Sequence, residues 1–121
     1  MPDADPQPGD VYKARPATSI DGDAHGDSYR PVAVVDRLPR VATCLTRTTH
    51  PEDGAETTES LKNAQLGLSK DGWWTNRHQR SVAKKFWGTD DFVYSGQLPE
   101  SEASELARFW SLLGMLGRRN A

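Results

Sequence analysis

Two pairs of residues bracket the apolar runs in the second quarter of the chain, Arg30-Pro31 before the first and Thr48-Thr49 after the second, within SYRPVAVVDRLPRVATCLTRTTH at 28–50. Neither pair favours a strand. Proline fixes its own φ and pushes the residue before it toward extended backbone, so Arg30 leaves the start of a strand at a defined angle. If the runs at 31–36 and 41–46 pair antiparallel, the beginning of one lies beside the end of the other, and Arg30 neighbours Thr48. A planar, permanently charged guanidinium next to hydroxyl donors suits a phosphate. The plainer reading is a surface salt bridge for Arg30 and a turn cap for the threonines, and the sequence leaves both open.

A second concentration of chemistry is GWWTNRHQRSVAKKFW at 72–87, which interleaves Trp73, Trp74, Phe86 and Trp87 with Arg77, Arg80, Lys84 and Lys85. Cations plus aromatic faces are what unpaired RNA bases and their phosphates need. Tryptophans in a small domain also fill cores and dimer interfaces. One of Trp73 and Trp74 is therefore expected inside and the other exposed, with Trp74 assigned to RNA. The charge supports a local polyanion site only. The whole chain has a formal net charge of −2, but residues 1–28 hold six acids against two bases, while residues 70–87 hold five bases against one acid. A solvated basic face is the alternative.

The elements that must position these groups read mostly as strands. Short β-branched runs at 11–14, 31–36, 41–46, 65–68, 72–82 and 90–95 are separated by turn residues, with Leu38-Pro39 as one turn. Polar stretches at 19–28 and 51–60 read as loops, and residues 1–8, rich in Pro and Asp, as a disordered tail. From Pro99 the period changes: Leu106, Phe109, Trp110, Leu113 and Leu116 fall on one helical face, which predicts a helix over 99–116 ending at Gly117. A chain of 121 residues fits one domain, here 9–121, of mainly β structure with a terminal helix (α+β).

No apolar run is long enough to span a membrane and the N-terminus lacks signal-peptide character, so a soluble, cytoplasmic protein is expected. The lone Cys44, inside an apolar run, reads as a small buried hydrophobe. Three histidines and one cysteine show no ligand spacing, so neither metal nor cofactor is expected.

Taken in order, Gly9-Asp10-Val11-Tyr12, Arg30-Pro31-Val32-Ala33-Val34-Val35, Leu45-Thr46-Arg47-Thr48-Thr49, Asp71-Gly72 and Ser95-Gly96-Gln97-Leu98 before a terminal helix resemble the MazF/PemK (Kid) toxins of toxin-antitoxin systems. The resemblance spans about residues 9–116 and rests on order and spacing, because each motif alone is short. It implies an SH3-like small β-barrel, CcdB/MazF/PemK-like, a homodimer, and metal-independent cleavage of single-stranded RNA, blocked by a cognate antitoxin peptide. It implies Arg30 and Thr48 as catalytic residues, with Arg47 and Thr49 on the RNA. Many members carry Asp-Gln where this chain has Arg77-His78. His78 is the substitute acid or base, since imidazole titrates near neutrality, and Arg77, Arg80 and Lys84 bind neighbouring phosphates. The alternative on the same fold is a non-catalytic binding protein, a CcdB-like gyrase inhibitor or a phage or regulatory module.

Overall fold

Strand runs that are apolar on every residue, such as Val32 to Val35, or nearly so, such as Ala42 to Leu45 with Thr43 inside it, need cover on both faces of a sheet. The computed structural model, which describes residues 5–15, 29–50 and 56–120 apart from the side chains of His78 and 116–120, provides it. Strands β1 (Asp10–Ala14), β2 (Arg30–Arg37), β3 (Val41–Thr48), β4 (Thr57–Ser60), β5 (Gly72–Ala83) and β6 (Phe92–Gln97) precede one helix, α1 (Glu100–Asn120). They form one sheet in the order β4-β5-β3-β2-β1-β6 with every ladder antiparallel. The class is α+β, mainly antiparallel sheet with a C-terminal helix.

On one face Val11, Ala33, Val35, Leu45 and Trp74 pack under Leu98 and Leu106, with Phe109 and Trp110 of α1 against them. On the other, Tyr12, Ala14, Val32, Val34, Ala42 and Cys44 are covered by Trp87 and Phe92. Trp87 stands edge-on to Tyr12 with ring centroids 4.8 Å apart, and its indole N–H donates to the Val82 carbonyl at 3.2 Å. Among the described residues no ladder joins the edge strands β4 and β6. The 3-10 turn Ala64–Leu66 packs against β6 instead: a Cβ at Gly96, whose φ is +142°, would come within 2.7 Å of Leu66 Cδ2.

Several expectations are corrected. The run at 65–68 is not a strand, because the Asn63 side chain caps a 3-10 turn by accepting from Gln65 N–H and Gly67 leaves it in the left-handed region. The supposed loop at 51–60 ends in β4, a polar strand because it is a sheet edge with one side in water; residues 51–55 lie outside the described residues, as do 16–28. Residues 5–8 are not loose. Pro6 is fully buried, Arg37 donates to Asp5 at 2.7 Å, and Gln7 N–H donates to Asp10 at 2.9 Å. Residues 1–4 lie outside the description. Helical backbone runs past Gly117 to Asn120, since glycine lowers helix propensity without forbidding it.

Arg47 joins the strand layers on the helix side. Its guanidinium donates to Ser60 Oγ at 2.8 Å, to the Ser60 carbonyl at 3.0 Å and to the Lys70 carbonyl, and it lies 5.9 Å over the Trp74 ring. Arg47→Ala is expected to lower stability by about 1–3 kcal/mol, the cost of leaving such acceptors unmade. Arg30→Ala is expected to stay within about 0.5 kcal/mol. Urea denaturation of both variants checks the contrast.

Candidate functional site

The β2–β3 register pairs Val32 with Thr46 and Ala33 with Leu45; continued to the strand ends it sets Arg30 opposite Thr48. Neighbouring ladders extend that row, pairing Arg30 with Ala14, Ala14 with Phe92, Thr48 with Trp73 and Trp73 with Glu59. Residues directly opposite share a face, with Cα atoms about 4.5–5.5 Å apart. Glu59, Trp73, Thr48, Arg30, Ala14 and Phe92 thus cross the whole sheet on one side, that of Tyr12, Val32 and Cys44. The next row is largely hydroxyl-bearing: Thr57, Thr75 and Thr46 stand in line with Val32 and Tyr12.

Arg30 is held by its neighbours in the chain. Tyr29 donates its hydroxyl to the Asp90 carbonyl at 2.7 Å and accepts from Arg15 Nη2 at 3.1 Å, while Arg15 pairs with Asp91 at 3.2 Å. The Tyr29 hydrogen bond leads the effects that raise the Arg15 pKa above its ordinary value. Pro31 restricts the other side. The Arg30 guanidinium itself, on a half-buried residue, makes no hydrogen bond or ion pair among the described residues.

Thr48 caps the turn after β3: its hydroxyl donates to the His50 carbonyl and accepts from His50 N–H, both at 3.1 Å. The turn-cap reading therefore describes this hydroxyl in the free protein, and a phosphate would compete with a backbone carbonyl for its proton. Gly72 permits the close packing here, since a Cβ there would lie 2.7 Å from the Thr48 carbonyl oxygen. Thr49 and His50 are exposed just beyond.

Between the Cys44–Arg80 and Thr46–Thr75 pairs, β5 spends residues 76–79 against Leu45 alone. This bulge is tied down by Thr46 Oγ1 donating to the Arg77 carbonyl at 2.9 Å and by Arg77 N–H donating to Thr75 Oγ1 at 3.2 Å. It carries exposed Arg77 beside the threonine row. The backbone of His78 lies in the same bulge, and its side chain is outside the described residues. Beyond it, the Arg80 guanidinium sits 5.1 Å over the ring of Phe92, at the far end of the row that holds Arg30.

Three sequence-assigned RNA residues are not brought to this row. Trp74 is fully buried on the opposite face, and its indole N–H has no partner among the described residues; alternation along β5 makes half-exposed Trp73 the available ring. Arg47 faces the helix side and is engaged there, and burial lowers its pKa. Lys84 follows Ala83, which pairs with Val41, seven residues from Thr48 along β3, or about 23 Å at the usual rise. Glu59, conversely, was missed because its polar segment reads as loop; no residue periodicity marks so short an edge strand.

No protein-family model matches the sequence, and no curated protein matches it. Among the described residues no three His, Cys, Asp or Glu side chains group to hold a metal ion, and no helix is long and apolar enough to cross a membrane.

Cys44 lies under this face, fully buried, and burial pushes its thiol up from about 9 to about 12. Burial, then Asp10, likewise pushes Tyr12 up from 10 to about 12. Both groups bind protons more tightly folded than unfolded, so their stabilisation is complete below pH 9 and declines as pH rises toward 12. Thermal unfolding midpoints are expected to fall above pH 9, less steeply in Cys44→Ala. Iodoacetamide at pH 8.5 is expected to label Cys44 only after unfolding in urea.

Proposed function

We propose that this chain is a metal-independent endoribonuclease toxin of the MazF/PemK kind, acting on single-stranded RNA in the cytoplasm. The single observation that carries the reading is the β2–β3 register, which, continued to the strand ends, sets Arg30, without a partner among the described residues, opposite Thr48 on one face. An SH3-like barrel is the finer form of the fold that this reading takes, with the turn Ala64–Leu66, which packs against β6, as the element that would close it. The working unit is a homodimer, for which exposed Leu112 and Met115 on α1 offer apolar surface, and a cognate antitoxin peptide covers the basic face.

The ribose 2′-oxygen attacks the adjacent phosphorus, the bond from phosphorus to the 5′-oxygen breaks, and the products are a 2′,3′-cyclic phosphate and a 5′-hydroxyl. Arg30 donates to the two non-bridging oxygens, whose charge grows in the phosphorane. Thr48 turns its hydroxyl from the His50 carbonyl to the same phosphate. His78 accepts the 2′-hydroxyl proton or supplies the one that the 5′-oxygen needs, as an imidazole can near neutrality, and water exchanges the other. Arg77 and Arg80 hold flanking phosphates.

Purified protein incubated in EDTA with a mixed RNA pool is expected to yield 5′-hydroxyl ends at defined sites. Arg30→Ala and Thr48→Ala are each expected to slow cleavage by about 10²-fold or more with unchanged circular dichroism. Binding of RNA by folded protein without any cleavage would contradict the nuclease and favour a non-catalytic binding module.

A further inference from the structure

The row through Arg30 and Thr48 continues onto two side chains that the cleavage chemistry does not use, Trp73 and Glu59. Trp73 stands opposite Thr48, and Glu59 opposite Trp73, so each is one strand spacing of about 5 Å further from the phosphate position. Trp73 keeps part of its ring exposed while Trp74 is wholly inside. Glu59 is exposed, and its carboxylate makes no hydrogen bond or ion pair among the described residues. We propose that Trp73 and Glu59 form a subsite selecting guanine, on the nucleotide next to the phosphate held by Arg30 and Thr48.

An acid on a face otherwise suited to phosphate weakens backbone binding, so its contribution has to come from a partner rich in donors. An ionised carboxylate offers acceptors only. Guanine alone among the four bases presents two adjacent donors, N1–H and the N2 amine, on its Watson–Crick edge. Adenine and cytosine set one amine beside a ring-nitrogen acceptor, and uracil sets one N–H between two carbonyls, so each brings a lone pair toward the carboxylate. Trp73 supplies a stacking face that accepts any base, and Glu59 supplies the choice. The subsite rests on the proposed RNA-binding role of the row, and it adds the base identity that the Arg30–Thr48 pair does not determine.

The test uses fluorescein-labelled 2′-O-methyl pentanucleotides, which cannot be cleaved by 2′-oxygen attack, with guanosine, inosine, adenosine, cytidine or uridine at the centre of an otherwise uridine chain. Fluorescence anisotropy is expected to rank guanosine tightest by roughly 5- to 150-fold, the range for a bidentate base contact, with inosine, which lacks the N2 amine, intermediate. Glu59→Gln, whose amide pairs one acceptor with one donor, is expected to lose the guanosine preference and to gain affinity for adenosine and cytidine. Trp73→Ala is expected to weaken all five alike and keep their order. Equal affinities for all centres, or a guanosine preference that survives Glu59→Gln, would overturn the subsite. Guanosine selectivity without cleavage of the matching unmodified RNA would uphold it and refute the nuclease; cleavage without guanosine selectivity would do the reverse.

Discussion

The register of the β2–β3 ladder is the constraint on which the site depends. Val32 and Val34 belong to one apolar layer, Ala33 and Val35 to the other, and Cys44 and Leu45 divide in the same way. A slip of one residue would exchange the residues offered to the two layers and would turn Thr48 or Arg30 to the wrong side. Packing on two faces therefore fixes a polar juxtaposition at the strand ends that contributes little to packing itself. The Tyr29 hydrogen bond to the Asp90 carbonyl and the small volume of Gly72 hold the two ends of that row in place.

The arginines divide their roles by face. Arg47, one residue before Thr48, points toward the helix side and satisfies two backbone carbonyls and a serine hydroxyl, so its charge serves the fold. Arg15 is engaged with Tyr29 and Asp91. Arg30 has neither duty among the described residues. An exposed ion pair adds little stability, but a half-buried guanidinium without a partner among the described residues can bind an anion without first breaking a bond to any of them. Thr48 differs, since its hydroxyl must leave the His50 backbone to reach a ligand.

Much of the fold was legible because apolar patterning and punctuation are strong where strands are central: β2, β3, β5 and the terminal helix fall within a few residues of expectation. The edges were not. Thr57–Ser60 has the composition of a loop because its outer side faces water, and the 65–68 run has the composition of a strand although Asn63 and Gly67 bend it into a 3-10 turn. The Arg30–Thr48 neighbourhood followed from antiparallel pairing alone. Which tryptophan is available, and which side Arg47 takes, depends on strand parity, and parity in β5 is set by pairing across β3 and by a bulge that no local pattern in 76–79 reveals.

A double-mutant cycle on binding of a 2′-deoxy oligonucleotide, with Arg30→Ala, Thr48→Ala and the double variant, tests most directly whether both side chains hold one phosphate. A shared phosphate predicts a coupling of about 0.5–3 kcal/mol between the two losses. Losses that add to within about 0.5 kcal/mol would mean that the two groups act on separate parts of the ligand and would contradict the account.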